Sequence, residues 1–142
     1  MPPAVDDILA EQPLRTPLLM GIINVTPDSF SDGGQYLAAP AAVAAGCRLA
    51  AEGAHLLDIG AESTRPGSQR VDAEEQIRRL DGIVQPLAGM DVEGDCPPPL
   101  LSVDTTSARV AEWALDAGAA MINDISAGRE DSGMFSLLAE RG

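Results

Sequence analysis

Four short apolar segments, each followed by a polar loop and then by a helical pattern, constrain the fold of this chain more than any other feature. They span residues 18–23, 55–59, 100–103 and 120–123. Continuous apolar runs of this length are typical of strands buried on both faces of a parallel sheet. Strand–helix alternation implies parallel strands joined by right-handed crossovers. The sequence therefore predicts an α/β domain over residues 18–142, preceded by an N-terminal extension of residues 1–17. Its four βα units fit either a small open sheet or the first half of an eight-unit barrel.

Helix-breaking residues predict the limits of the first helix. Pro40 is expected to open an Ala-rich helix that stops at Gly53, with Pro in the first turn and Gly as the stop. Cys47 falls within this Ala-rich pattern and is expected to be a small buried apolar residue. The sequence of residues 134–140 predicts a short helix as the last element.

Capping patterns predict the two middle helices. Asp72 and Glu75 have the spacing of a capping box, and Pro86 should kink or end the helix that follows them. The next helix is expected to take its N-cap from residues 105–107 and to stop at Gly118.

A weak internal repeat relates residues 52–58 to residues 117–123, which lie 65 positions later. In each copy a helix ends at Gly-Ala, and the chain then enters a strand that finishes on a polar residue, Asp58 in one copy and Asn123 in the other. The repeat supports the prediction of successive strand–helix units.

The charge of the chain excludes two classes of partner. All nine basic residues are Arg, against 22 Asp and Glu, and the formal net charge is −13. Nucleic acids and anionic membranes both require clustered positive charge, so we expect neither as a partner. The apolar runs are too short to cross a bilayer, and residues 1–12 lack the basic start of a signal peptide. With two cysteines and no disulfide framework, the cytoplasm is the expected location.

Polar residues stand at the carboxyl end of each predicted strand: Asn24, Asp58, Asp104 and Asn123. In a parallel α/β sheet these ends share one rim, where such folds bind ligands. Asn and Asp offer fixed acceptors, and Asn also offers paired donors, which suits a flat ligand with amide and amino edges. The only histidine, His55, opens a strand at the opposite end, so a histidine-dependent nucleophile is not expected.

Two loops next to this rim are unusual. Residues 24–34 combine a proline and two glycines with Phe30, a residue typical of a lid that closes over a substrate. Residues 63–67 place Arg65 on the same rim, where it could meet a phosphate or carboxylate. The sequence has neither a dinucleotide-binding GxGxxG pattern nor a P-loop.

These segments resemble dihydropteroate synthases. The stretch MGIINVTPDSFSDGG at 20–34 resembles the first signature of that family, and DIGAESTRPG at 58–67 resembles the second. Residues 102–105 and 122–124 resemble the third and fourth. The resemblance implies a (β/α)8 barrel of the triosephosphate isomerase type, of which this chain would hold the first four βα units. It also implies a cytoplasmic transferase of folate biosynthesis that condenses dihydropterin pyrophosphate with p-aminobenzoate and releases pyrophosphate.

The resemblance also implies roles for particular residues. Asn24 would be the ligand of Mg2+, the expected cofactor, and Phe30 would lie in the loop on the p-aminobenzoate side. Asp32 and Arg65 would be the catalytic residues of the two loops. The residues that would contact the pterin pyrophosphate are Thr64, Asp104 and Asn123.

Two departures from the family pattern affect these expectations. Ala61 replaces a glycine that is common in the second signature, which should perturb the loop slightly. The later motifs, with their Lys and their Arg/His pair, are not encoded in these 142 residues, so we expect little or no turnover by this chain alone. Two alternatives stay open: a pterin-binding methyltransferase-type domain, and a non-catalytic half-barrel that assembles with another chain. A homodimer is one assembly to test.

Overall fold

Four parallel strands form one sheet in the part of the chain that the structure, a computed structural model, describes: residues 17–25, 35–63, 66–91 and 98–141. The strands are β1 (Met20–Asn24), β2 (Leu56–Gly60), β3 (Leu100–Asp104) and β4 (Met121–Asn123), and they lie side by side in chain order. The predicted α/β class, with four strand–helix units, is confirmed.

Five helices connect and flank these strands within the same ranges. They are α1 (Gln35–Ala51), α2 (Ala73–Leu80), α3 (Val84–Ala88), α4 (Ala108–Asp116) and α5 (Met134–Arg141). No helix in the described ranges is long and apolar enough to cross a membrane.

One face of the sheet is covered by helices, and the other, called the open face below, is exposed mainly at the edge strand β1. Successive residues of a strand alternate between faces, so Ile23, Ile59 and Val103 share the covered face, where they are buried in the apolar core. Burying each such side chain contributes about 1.5–3 kcal/mol. On the opposite face, Met20 and Ile22 of the edge strand are 43% and 66% exposed. The covered face thus holds the apolar core, whereas the open face exposes apolar side chains at β1 and buries Asp58 and Ser102 on its inner strands.

The capping residues act largely as the sequence predicts. Asp72 caps α2 by accepting a hydrogen bond from the backbone N–H of Glu75 at 2.9 Å. Ser107 caps α4. Gly118 follows α4 with a φ of 109°, a conformation that side-chain-bearing residues rarely adopt.

Two predicted helix limits are wrong. α1 begins at Gln35, so Pro40 lies inside it. A proline lacks a backbone N–H, so it removes one hydrogen bond from the helix. Near the start of α1 this loss is small, because the N–H groups of the first turn have no helical partners in any helix. The predicted break at Pro86 occurs earlier, at Gly82, whose φ is 77°. Pro86 is instead the third residue of α3, where no N–H is needed.

The prediction that Cys47 is buried is also wrong, because its thiol is exposed. The buried residues of α1 are Ala42, Gly46 and Ala50. Cys47 comes directly after Gly46 and therefore lies about 100° around the helix from it. The faces of an Ala-rich helix differ little in hydrophobicity, so the sequence does not show which face is buried.

Candidate functional site

Three of the four predicted rim residues, Asn24, Asp104 and Asn123, lie in one row across the sheet. The prediction that Asp58 ends its strand is wrong, because β2 continues to Gly60. The strand register pairs Asn24 with Gly60, Gly60 with Asp104, and Asp104 with Asn123. Residues paired in this way point to the same face, and neighbouring strands are about 4.8 Å apart, so the row spans about 14 Å. The structure therefore brings Asn24, Asp104 and Asn123 together at one end of the open face, although their individual roles stay predictions.

Asp104 is a carboxyl group in an unfavourable electrostatic environment. Burial raises its pKa to about 6, and the negative charges of Asp58, Glu62 and Asp124 contribute to the rise. A ligand that offers N–H donors or positive charge would relieve both the desolvation and the repulsion. Perturbed carboxyl groups in clefts are typical of functional sites.

Asp58 lies one layer below this row and binds one of its members. Its Oδ2 accepts a hydrogen bond from Nδ2 of Asn123 at 3.1 Å. Asp58 is only 6% exposed, and its Oδ1 has no hydrogen-bond partner among the described residues. The hydroxyl of Ser102, which is paired with Asp58 on the neighbouring strand, is likewise buried and without a partner there.

A buried glutamine joins the loops that follow β2 and β3. Gln76 of α2 donates to Glu62 Oε2 at 3.1 Å and to the carbonyl of Val71 at 2.8 Å, and its Oε1 accepts from the hydroxyl of Thr105 at 2.9 Å. We did not predict this residue. The available signal was a polar side chain one turn before Leu80, on the buried face of α2.

Further hydrogen bonds hold the rim loops in place. Asp124 accepts from the backbone N–H groups of Ser126 and Gly128, which supports Ala127 in a left-handed conformation with a φ of 53°. Glu130 binds Arg70 at 2.6 Å and Thr106 at 2.9 Å. The loops after β2, β3 and β4 are therefore tied to one another.

These loops enclose a cavity of about 180 Å3 beside Asp104. Its lining is mostly polar; it includes the carboxyl groups of Glu62, Asp104 and Glu130, the guanidinium of Arg70, and Thr105 and Ile125. A cavity of this composition favours a ligand rich in hydrogen-bond donors over an apolar ligand.

Ala61 fits the second loop without strain. It is fully buried in the core, and it is absent from the residues with positive φ in the described ranges. Its carbonyl accepts a hydrogen bond from Arg79 at 2.9 Å. The replacement of glycine therefore adds a buried methyl group at this position.

At the other end of the sheet, His55 Nδ1 accepts from the backbone N–H of Leu19 at 3.1 Å, a structural contact far from the rim.

Four predicted site residues, Phe30, Asp32, Thr64 and Arg65, lie outside the described residues. Within the described ranges, no group of three or more His, Cys, Asp or Glu side chains is arranged to hold a metal ion.

Relatives of the chain are found among enzymes that act on pterins. Residues 20–142 match the family model for pterin binding enzymes. The dihydropteroate synthase of Mycobacterium leprae is 44% identical over 124 residues, a match covering 87% of this chain and 41% of that protein.

Solved structures show the same likeness. A dihydropteroate synthase from Xanthomonas albilineans with 4-aminobenzoic acid is 48% identical, with a TM-score of 0.79, over 89% of this chain and 45% of that one. The enzyme from Anaplasma phagocytophilum with bound 6-hydroxymethylpterin-monophosphate is 38% identical, with a TM-score of 0.73, over 87% and 45%. The chain thus spans less than half the length of these relatives.

The family model covers the whole sheet, including the row of polar strand ends. The sequence of the chain and the likeness of its fold to solved dihydropteroate synthases agree in this assignment. This chain belongs to the family of pterin-binding enzymes.

Proposed function

We propose that this chain provides the pterin-binding half of a dihydropteroate synthase active site. The complete site would condense dihydropterin pyrophosphate with p-aminobenzoate to dihydropteroate and release pyrophosphate. The observation that carries the proposal is the row formed by Asn24, Asp104 and Asn123 on the open face of the sheet. Because the chain belongs to a family of pterin-binding enzymes, we infer that this row binds a pterin.

Asp104 and Asn123 are suited to the edge of a pterin ring. A pterin presents adjacent amino and ring N–H donors beside a carbonyl acceptor, and a carboxylate next to a carboxamide complements that pattern. Burial and neighbouring negative charge raise the pKa of Asp104, so N–H donors from the ring would stabilise its ionised form. In this proposal Thr64 also contacts the substrate.

Asn24 is suited to hold Mg2+ on the diphosphate. It is exposed at the carboxyl end of β1 and offers one neutral, hard oxygen. Mg2+ in such sites keeps several waters and takes only one or two protein ligands besides substrate phosphates, which agrees with the lack of a preformed ligand cluster among the described residues. When bound, the ion would neutralise charge on the departing pyrophosphate.

The remaining predicted residues belong to the reaction on the other substrate. In this proposal Phe30 shields the p-aminobenzoate side, and Asp32 and Arg65 act from the two loops as the catalytic residues. An arginine there would offset the carboxyl groups of Asp58, Glu62 and Asp124 around Asp104, which repel an anionic substrate. The exposed free thiol of Cys47 is compatible with the cytoplasmic location that the proposal includes.

A chimeric enzyme tests the proposal. Residues 1–142 would be joined to the part of the Mycobacterium leprae enzyme that follows the matched region. We expect the chimera to form dihydropteroate from both substrates, whereas the 142-residue chain alone binds 6-hydroxymethylpterin-monophosphate with little or no turnover. A folded chimera that binds the pterin but not p-aminobenzoate would favour the methyltransferase-type alternative. Failure of the chain and of the chimera to bind the pterin would overturn the proposal.

A second candidate function is assembly without catalysis. The exposed apolar residues Met20 and Ile22 on the open face favour a half-barrel that is completed by another chain. The edge of β1 would add unpaired backbone groups to such an interface. This candidate and the enzymatic one differ in whether the assembled protein forms dihydropteroate.

A further inference from the structure

We propose that Asp58 is a positioning residue that fixes the side-chain amide of Asn123, so that the amide oxygen faces the ligand. The inference rests on the proposed pterin-binding function. Asp58 lies on β2 and Asn123 on β4, so the hydrogen bond between them crosses the intervening strand β3. Two strand spacings amount to about 9.6 Å, and the two side chains meet over the open face.

The chemistry of the pair allows one amide orientation. An ionised carboxylate only accepts hydrogen bonds, whereas an amide has a donating and an accepting end. With Nδ2 of Asn123 bound to Asp58 at 3.1 Å, Oδ1 is directed away from the carboxylate. The reverse orientation would place two acceptor oxygens against each other. Asn123 therefore presents a fixed acceptor, beside Asp104 in the row, to N–H donors of a ligand.

The burial of Asp58 agrees with this role. Asp58 is nine-tenths buried, yet its Oδ1 has no partner among the described residues. A buried carboxylate with an unsatisfied oxygen costs stability compared with an apolar residue of the same size. Stabilisation of the sheet therefore does not explain why an aspartate occupies this position, whereas the hydrogen bond to Asn123 does.

The strand between the two partners leaves room for the contact. Ser102 of β3 is paired with Asp58 on the same face and is fully buried. Its small side chain permits the carboxylate and the amide to meet above β3. Asp58 and Asn123 also occupy equivalent positions in the two copies of the internal sequence repeat, 65 residues apart. The last polar residue of each copy thus binds the other.

Three variants of the 142-residue chain test the proposal, with 6-hydroxymethylpterin-monophosphate as the probe and binding measured by calorimetry. Asp58→Leu removes the acceptor and keeps a branched side chain, and we expect the dissociation constant to rise about tenfold or more. Asp58→Asn keeps an acceptor oxygen for Asn123 and should stay within about threefold of the parent chain. Ser102→Ala, at the paired buried position, is the control and should also bind as the parent does.

The side-chain amide of Asn123 provides a readout that does not depend on the probe. In two-dimensional 15N–1H spectra of the parent chain, its Nδ2 protons should exchange slowly with water, and this protection should be lost in Asp58→Leu and kept in Asp58→Asn. Fast exchange in the parent chain would overturn the proposal even if Asp58→Leu failed to fold.

The other outcomes are equally decisive. Parent-like binding by Asp58→Leu, or an equal loss in Asp58→Leu and Asp58→Asn, would overturn the positioning role, the second because charge rather than the acceptor would then matter. A parent chain that shows the protected amide but binds no pterin would contradict the proposed function while leaving the Asp58–Asn123 contact intact.

Discussion

Asn24 and Asp104 lie in the same row but are suited to different parts of one substrate. Asn24 occupies the edge strand and is exposed, whereas Asp104 lies on an inner strand among other carboxyl groups. The Gly60 position separates them in the register. A phosphate-bound cation and a flat ring can therefore be held at opposite ends of the row.

Substitution of the two residues should separate these functions. In the chimeric enzyme we expect Asn24→Ala to weaken the binding of pyrophosphate with Mg2+ by about tenfold, because a protein ligand of the ion is lost. Asp104→Ala should instead weaken the binding of 6-hydroxymethylpterin. Titration of both ligands into both variants checks the assignment, which an equal loss of both ligands in both variants would contradict.

The titration of Asp104 should appear in the pH dependence of folding. Its pKa is about 6 in the folded chain, against an ordinary value of 3.8. Between these values the folded chain retains a proton that the unfolded chain has released, so the stability from this group is lost as the pH rises through about 6. We expect Asp104→Asn to gain about 2 kcal/mol of stability relative to the parent between pH 4 and pH 7.

Denaturant unfolding across this pH range measures the effect. Asp91→Asn, an exposed substitution outside the site, serves as the control and should change little over the same range. A difference between Asp104→Asn and the parent that stays constant with pH would contradict the prediction.

At the scale of elements, α2 connects the fold to the site. Its N-terminal turn is capped by Asp72, and Gln76 on its buried side binds the loops after β2 and β3. On the same helix, Glu75 binds Arg78 at 2.6 Å and Arg79 at 2.8 Å. Arg79 in turn donates to the carbonyl of Ala61, so the charge pairs also tie α2 to the end of β2.

Removal of the central charge of this cluster should weaken α2. Hydrogen bonds from Arg78 and Arg79 lower the pKa of Glu75 from 4.5 to about 2. The stability they provide is present above pH 4.5 and is lost as the pH falls through about 2. We expect Glu75→Gln to lower the free energy of unfolding by about 1 kcal/mol at pH 7, and the difference to shrink below pH 4.5.

Glu74→Gln is the matched control in the same helical turn. Glu74 forms a more exposed ion pair with Arg109, so its replacement should have a smaller effect. Thermal unfolding of both variants at pH 7 and pH 3 compares them. An equal loss at both positions would contradict the importance of the Glu75 cluster.

The elements differ in how far the sequence predicts them. Asp72 and Gly118 were correctly predicted, because capping and left-handed turns depend on the local chain. The burial of Cys47 was predicted wrongly, because an Ala-rich helix does not reveal its inner face. The row of Asn24, Asp104 and Asn123 followed from parallel strands alone. The contact between Asp58 and Asn123 could not be predicted, because it joins two strands that are not neighbours in the sheet.

For the whole molecule, the exposed apolar residues of the open face predict a contact with further strands or with another chain. The chain spans 45% of the Xanthomonas albilineans enzyme, and its open face carries Ile22 at 66% exposure. Apolar surface of this kind is typical of a contact with another sheet or chain. We expect the contact to be made by the part of the polypeptide that corresponds to the unmatched part of this enzyme.

Co-expression with the remaining part of the Xanthomonas albilineans enzyme tests this expectation. The two chains should elute as a complex in size-exclusion chromatography, and Ile22→Glu should reduce the fraction of complex about tenfold, because a charge would be buried at the contact. Ala44→Glu, on the exposed side of α1, should leave the complex unchanged. Elution of the parent chain as a stable monomer beside the unbound second chain would contradict the prediction.

Gly60 has a consequence for selectivity. It stands between Asn24 and Asp104 in the row, and a methyl group there would lie 3.5 Å from the side chain of Asp104. The bare backbone of Gly60 leaves that side of the Asp104 carboxyl uncovered, whereas even a methyl group would rest against it at van der Waals distance. A larger side chain at this point would cover the carboxyl and narrow the range of molecules that can reach it.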